Sequence, residues 1–279
     1  MPPRADAANF LRMATATATP GVGPLLRDWR RRRRLSQLDL ALEAGVSARH
    51  LSFVETGRSR PSADMVLQLA DQLEVPLRNR NQLLLAAGHA PMFEQHALED
   101  PEMAPVRGAI DLILDGHDPY PAVVIDHAWE MLGANRAVAL LTKGVAPGLL
   151  EPPVNVLRLS LHPDGVAPRI VNLGEWRGHL VERLERQIAL TGDPALTTLL
   201  QELSGYPAPE QSPAAGGPEI AVPLRLCSEL GELSFISTVA TFGTAVEVTA
   251  SELSIESFFP ADEATGEAMR AYVAGLPRR

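Results

Sequence analysis

Lysine is nearly absent from this chain: Lys143 is the only one in 279 residues, so the remaining positive charge rests on arginine. Cysteine is as scarce. With Cys227 alone no internal disulfide can form, which fits a reducing cytoplasm. Cys227 lies in an apolar, alternating segment and is expected to be a packed strand residue rather than a reactive thiol. No apolar run approaches the ~20 residues of a membrane span. Residues 1–22 lack the continuous apolar core of a secretory signal. The seven histidines are scattered, with no HExxH and no paired Cys/His spacing, which argues against a zinc site. Ser160 to His162 does not form a nucleophile elbow, and no glycine-rich loop is set to cradle phosphate. The expectation is a cytoplasmic binding protein, not an enzyme, with no cofactor, no metal and no membrane partner.

The net charge of −9 superficially argues against nucleic acid. Its distribution argues the other way. Residues 24–60 carry nine arginines against Asp28, Asp39, Glu43 and Glu55, a balance of +5, which leaves −14 on the rest. A basic module joined to an acidic one is the pattern of a DNA-binding head on a body with another task.

Inside the basic stretch two short helices are predicted. Ser36 is a good N-cap before Gln37–Ala44, and Ser47 is another before Ala48–Thr56. Ala44-Gly45-Val46 leaves room only for a tight turn, with Gly45 supplying the left-handed backbone that stops the first helix and Gly57 stopping the second. This is helix-turn-helix spacing, in which the second helix enters the DNA major groove. Leu40, Ala41, Val46, Leu51 and Val54 fall where the two helices bury side chains, and Ala41 is small enough for a close crossing. The matching residues are Leu35-Ser36-Gln37, Leu40-Ala41, Ala44-Gly45-Val46-Ser47, Leu51-Ser52, Val54-Glu55, Gly57-Arg58 and Pro61-Ser62. In these the chain resembles the XRE (lambda-repressor-like) DNA-binding domains.

The domain expected from that frame has five helices and spans residues 23–91, after a mobile tail at 1–22. Its first helix starts at Pro24 and carries Leu25, Leu26 and Trp29 on one stripe. Arg30 to Arg34 form a five-arginine run, either a solvated face or an electrostatic arm. By the resemblance Arg30 faces Glu55, in a partly buried pair tying helix 1 to helix 3, and Arg33 or Arg34 reaches phosphate. Ser62 caps a fourth helix, and a fifth runs from about Arg78 to Ala87.

Residues 92–104 read as a linker or a loosely packed connector, and 105–279 as a second domain. A helix from Ala104 with Val106, Ile110 and Ile113 on its apolar face precedes a hairpin of Ala122–Asp126 and Trp129–Gly133. Helical patterns follow at Asn135–Thr142, Val154–Leu161, Leu173–Leu190 and Asp193–Leu203. Tyr206–Pro218 is a Pro-, Ala- and Gly-rich loop. Strand-like runs come at Ile220–Cys227, Leu233–Phe242 and Thr249–Phe258, and a helix closes the chain to about Ala274. The fold class is therefore multidomain, α and α+β. A PAS-like second domain is expected, with a five-stranded antiparallel sheet interrupted by helices after the second strand.

The run Arg49–Arg58 followed by Leu83–Gly88 is similar to the XRE subgroup that carries an MmyB-like ligand-binding domain. Pro119-Tyr120-Pro121, Ala134-Asn135-Arg136, Asn155-Val156-Leu157-Arg158, His162-Pro163 and Phe259–Thr265 agree. The resemblance covers about residues 23–275. It implies a sensor whose pocket takes an elongated apolar molecule such as a fatty acid, a ligand that composition and spacing do not themselves indicate.

By the XRE resemblance the exposed recognition face holds Ala48, Arg49, Ser52, Phe53 and Thr56, with Ser47 and His50 also among the DNA-binding residues. Arg49 is the best base reader, because a guanidinium can fork onto guanine O6 and N7. Ala48 and Phe53 suit thymine methyls, unless Phe53 packs on a neighbouring helix. Gln37, Thr56, Arg58 and Arg60 are placed at phosphate, and His50 either at phosphate or partly packed. One head makes few such contacts, so a homodimer on double-stranded DNA is expected. For the pocket, Arg158 and His162 are candidates to hold a ligand carboxylate, with Asn155 and Trp176 beside them; an ordinary surface or capping role is the alternative for each. Two other functions stay open: a second domain that serves only dimerisation or a protein partner, and an antitoxin-like protein with a partner chain.

Overall fold

The computed structural model describes residues 21–207 and 222–277. The tail expected at 1–22 and the loop expected at Tyr206–Pro218 therefore lie almost wholly outside the described residues. The chain divides into two compact units, one up to Met92 and one from Phe93 on.

The first unit is five helices: α1 (Val22–Arg32), α2 (Gln37–Glu43), α3 (Ala48–Glu55), α4 (Ala63–Gln72) and α5 (Leu77–Ala86). Local chemistry sets their ends. Ser36 and Asp39 form a capping box on α2, and the Ser47 and Ser62 side chains accept from His50 N and Met65 N to cap α3 and α4. Gly45 and Gly57 adopt φ of +62° and +72°, where a side chain would be strained. Leu26, Trp29, Leu40, Ala41, Leu51, Val54, Leu69 and Leu84 fill the core. Gly23 is needed for close approach: a Cβ there would stand 2.5 Å from the Val54 carbonyl oxygen.

In the second unit α6 (Ala104–Gly116) leads into β1 (Ala122–Ile125) and β2 (Met131–Ala134). Four helices follow: α7 (Val138–Thr142), α8 (Val156–Leu161), α9 (Leu173–Thr191) and α10 (Pro194–Ser204). Then come β3 (Leu224–Ser228), β4 (Gly231–Thr241), α11 (Val248–Glu252), β5 (Ser254–Pro260) and α12 (Glu263–Ala274). The strands form one antiparallel sheet in the order β2-β1-β5-β4-β3. All four residues of β1 are buried because both sheet faces are covered there. Val123 and Ile125 join the main core under α7–α10, while Ala122 and Val124 pack with Ile110 and Leu114 of α6. An apolar run without alternation is what such a doubly covered strand requires.

Several expectations need correction. Thr249–Phe258 is not one strand: Val248–Glu252 is helical, capped by the Glu247 side chain on Ala250 N, and β5 begins at Ser254. Cys227 is on a strand but exposed, since Leu224 and Leu226 take the inward face of β3. Ile113 is 39% exposed, and Leu114 is the residue of α6 that turns inward. The segment read as a linker packs within the second unit: Glu94 O accepts from Val248 N (2.9 Å), His96 N donates to Glu247 Oε1 (2.8 Å) and Thr249 Oγ1 donates to His96 O (2.6 Å).

Candidate DNA-reading face and ligand cavity

On α3 the inward residues are Leu51, Val54 and Glu55. The other face presents Arg49 and Thr56 exposed and Ala48, His50, Ser52 and Phe53 half-buried. The Arg49 guanidinium lies 5.4 Å from the Phe53 ring centroid, one helical turn away, so the half-buried aromatic is partly covered by a cation. Ser47 is occupied as the N-cap, and the Thr56 hydroxyl donates back to Ser52 O at 2.7 Å. Arg58 is exposed just beyond the helix.

Three polar residues nominated for phosphate hold the fold together. Gln37 Nε2 donates to Glu55 Oε2 at 2.8 Å. Arg60 donates to Ala87 O (2.7 Å) and Gly88 O (2.8 Å), satisfying carbonyls at the end of α5. Arg33 donates to Glu74 O at 3.1 Å. Behind the reading face, Arg30 Nε and Nη2 bind Glu55 Oε1 and Oε2 at 2.7 and 2.9 Å. The pair is deeply buried, with side chains 11% and 0% exposed. Burial opposes the Glu55 charge, but the hydrogen bonds from Arg30 and Gln37 and the charges of Arg30 and Arg27 outweigh it and hold its pKa below the usual carboxylate range.

In the second unit an apolar cavity of ≈ 80 Å³ lies between the inner face of the sheet and α7–α9. One water needs only about 10–15 Å³ measured this way, so the space is large for a packed core. Its walls include Val123, Trp129, Val138, Leu141, Leu157, Leu159, Trp176, Leu180 and Phe258. The polar groups in the lining are few: Thr142, Ser160 and Glu256. The Thr142 hydroxyl donates to Val138 O (3.3 Å), and Ser160 Oγ accepts from Trp176 Nε1 (3.0 Å).

α9 supports the cavity wall. Its Gln187 accepts from Trp129 Nε1 (2.8 Å) and donates to His127 O (2.7 Å), and its Arg183 guanidinium lies 4.8 Å from the Trp129 ring centroid. Trp129 needs that support, since its φ of +66° is costly for a bulky residue. His179, beside Trp176 on the same helix, has its pKa lowered by burial and then by the Arg183 charge.

Of the four residues nominated for the pocket, Trp176 lines it. Asn155 is the N-cap of α8, accepting from Leu157 N and Arg158 N. Arg158 forms a bidentate pair with Glu202, Nε–Oε1 2.8 Å and Nη2–Oε2 2.8 Å. His162 accepts from Asp164 N and stacks edge-on with Tyr206. None of these three is in the cavity lining. The residue that sequence reasoning missed is Glu256. Glu256 stands two residues before Phe258, on the same inward face, and that period of two was the available signal.

Among known proteins, the family described as the MmyB-like transcription regulator ligand binding domain matches residues 106–271, and a helix-turn-helix family matches residues 26–78. A curated relative, described as an uncharacterized HTH-type transcriptional regulator RghRB of Bacillus subtilis (strain 168), is 37% identical over 81 residues. That match spans 29% of this chain and 56% of the relative, so the chain spans about half the length of the curated protein it matches. A solved structure titled as an RNA-binding light-oxygen-voltage receptor aligns over 98% of this chain and 70% of its own, at 16% identity and a TM-score of 0.24.

Proposed function

The chain belongs to the transcription regulators with an MmyB-like ligand-binding domain, and from that premise we propose that it binds a specific DNA operator under the control of a small apolar ligand. The single observation carrying this reading is the apolar cavity, because a pure dimerisation scaffold would have its core packed solid. We read the second unit as PAS-like, on its strand order and on the four helices inserted between the second and third strands. An acyl chain of the fatty-acid type suits walls of Val, Leu, Trp and Phe. In the first unit Arg49 is the base reader, and Arg58 with the α3 flank contacts phosphate. Two heads are needed for an operator of two half-sites about one helical turn apart, so the working form is a homodimer in the cytoplasm. The reading is of a binding protein, without cofactor or catalysis; among the described residues no helix is long and apolar enough to cross a membrane.

Selecting bound sequences from a random duplex pool tests the first half. Enrichment of a two-fold symmetric site, lost in Arg49→Ala, supports sequence reading by α3. Recovery of no consensus would contradict it.

A further inference from the structure

Glu256 sits on the central strand β5, opposite Val123 of β1, in the cavity wall. Its side chain is only 6% exposed. One carboxylate oxygen, Oε1, accepts from Arg183 Nη1 at 3.1 Å. Among the described residues no side-chain or backbone group donates to the other oxygen. That oxygen keeps some accessible surface, so a water or a ligand donor can reach it. Of the other polar groups of the lining, Thr142 donates its hydroxyl to Val138 O, and Ser160 Oγ accepts from Trp176 Nε1. Arg183 is outside the lining and is held by Glu256 and by the face of Trp129.

We propose that Glu256 fixes the head-group selectivity of this cavity: it takes apolar molecules ending in a hydrogen-bond donor, such as an alcohol or a primary amide, in preference to the free acid of the same chain. The inference rests on the cavity being a ligand site and narrows the acyl class to its neutral, donor-ended derivatives. A hydroxyl or amide N–H reaching Glu256 Oε2 gives that acceptor a charge-assisted hydrogen bond. A free carboxylate would put a second negative charge beside the first, and like charges so placed repel. Arg183 partly balances Glu256 from outside the lining.

The test is binding of three eight-carbon probes, octan-1-ol, octanamide and octanoate, to the full chain at pH 8. The readout is tryptophan fluorescence, since Trp129 and Trp176 both line the cavity, with native mass spectrometry as a second readout. The amide and the alcohol should bind about tenfold or more tighter than the acid, the scale of a hydrogen bond to a charged acceptor. Glu256→Gln should narrow or reverse that ratio, because its amide donates to a carboxylate. The wild-type ratio stands as a test by itself should that variant fold poorly. Equal binding of all three, or octanoate binding best, overturns the assignment, and a preference for octanoate lost in Arg183→Gln would make Arg183 the anchor instead. If none of the three binds, the ligand-site reading falls and the assignment falls with it; if all bind with the wrong order, only the role of Glu256 is lost.

Discussion

Gln37, the first residue of α2, donates from Nε2 to Glu55 Oε2, while Arg30 of α1 holds the same carboxylate from the other side. Glu55 thus ties the two helices of the DNA-reading motif to α1. Removing it would leave Arg30 buried without its counter-charge. Glu55→Ala should destabilise the first unit by about 3–5 kcal/mol, the cost of breaking a buried ion pair from one side. The pH dependence has a definite sign. The folded-state pKa of Glu55 is depressed, so its contribution is complete above the unfolded value of about 4.3 and is lost as pH falls through the folded one. Thermal melts of wild type from pH 7 down to 3 should show the transition of the first unit dropping below about pH 4, and Glu55→Ala should flatten that drop.

Arg49, Arg58 and Arg60 look alike in sequence but differ in structure. Arg49→Ala should cost about 1–3 kcal/mol of operator binding and relax one base position. Arg58→Ala should weaken all duplexes evenly and reduce the salt slope by about 1. Arg60→Ala should act on stability instead, because its guanidinium closes the end of α5 on Ala87 and Gly88. A loss of about 1–2 kcal/mol is expected from two hydrogen bonds to carbonyls. Melting curves and binding isotherms at two salt concentrations separate the three.

Arg158 binds Glu202, and the Glu202 carboxylate also accepts from the Tyr206 hydroxyl. The Arg158 hydrogen bonds, despite some burial, lower the Glu202 pKa, while burial and then that carboxylate push the Tyr206 phenol up to about 12. The ion pair is 43% and 35% exposed at its side chains, so water screens it. Arg158→Ala should therefore cost no more than about 1 kcal/mol. Octanamide affinity should stay unchanged, since Arg158 is outside the cavity. A large loss of ligand affinity would return Arg158 to the pocket.

Leu180 faces the cavity from α9 and is 4% exposed. Leu180→Phe should fill part of the space at a cost of about 1–3 kcal/mol in overpacking. Ligand uptake should fall while DNA binding by α3 persists, which uncouples the two activities. Parallel loss of both would point to a damaged fold, visible in the melting curve.

What could be read from sequence follows the range of the physics involved. The first unit was legible because its signals are local: serine caps, glycine stops and apolar spacing within a few residues. The Arg30–Glu55 pair was reached through the family frame, since it joins residues 25 apart. The strand pattern of the second unit was legible in number and order but not in detail. Thr249 reads as a strand former, and only the Glu247 cap, itself held by His96, turns that stretch into α11. Arg60 and Arg158 were assigned to ligands by their charge, whereas distant carbonyls and a distant carboxylate occupy them. Glu256 escaped notice for the converse reason: its partner Arg183 lies 73 residues away, and its spacing of two from Phe258 is the local sign that it faces inward.

The measurement bearing most directly on ligand control is native mass spectrometry of freshly purified full-length protein, with solvent extraction and mass analysis of whatever is released. A ligand-controlled regulator should carry a near-stoichiometric apolar molecule, or take one up from added octanamide, with the bound species lost in Leu180→Phe. A clean protein mass that no apolar probe shifts would contradict the sensor reading and leave the second unit a packing or dimerisation module.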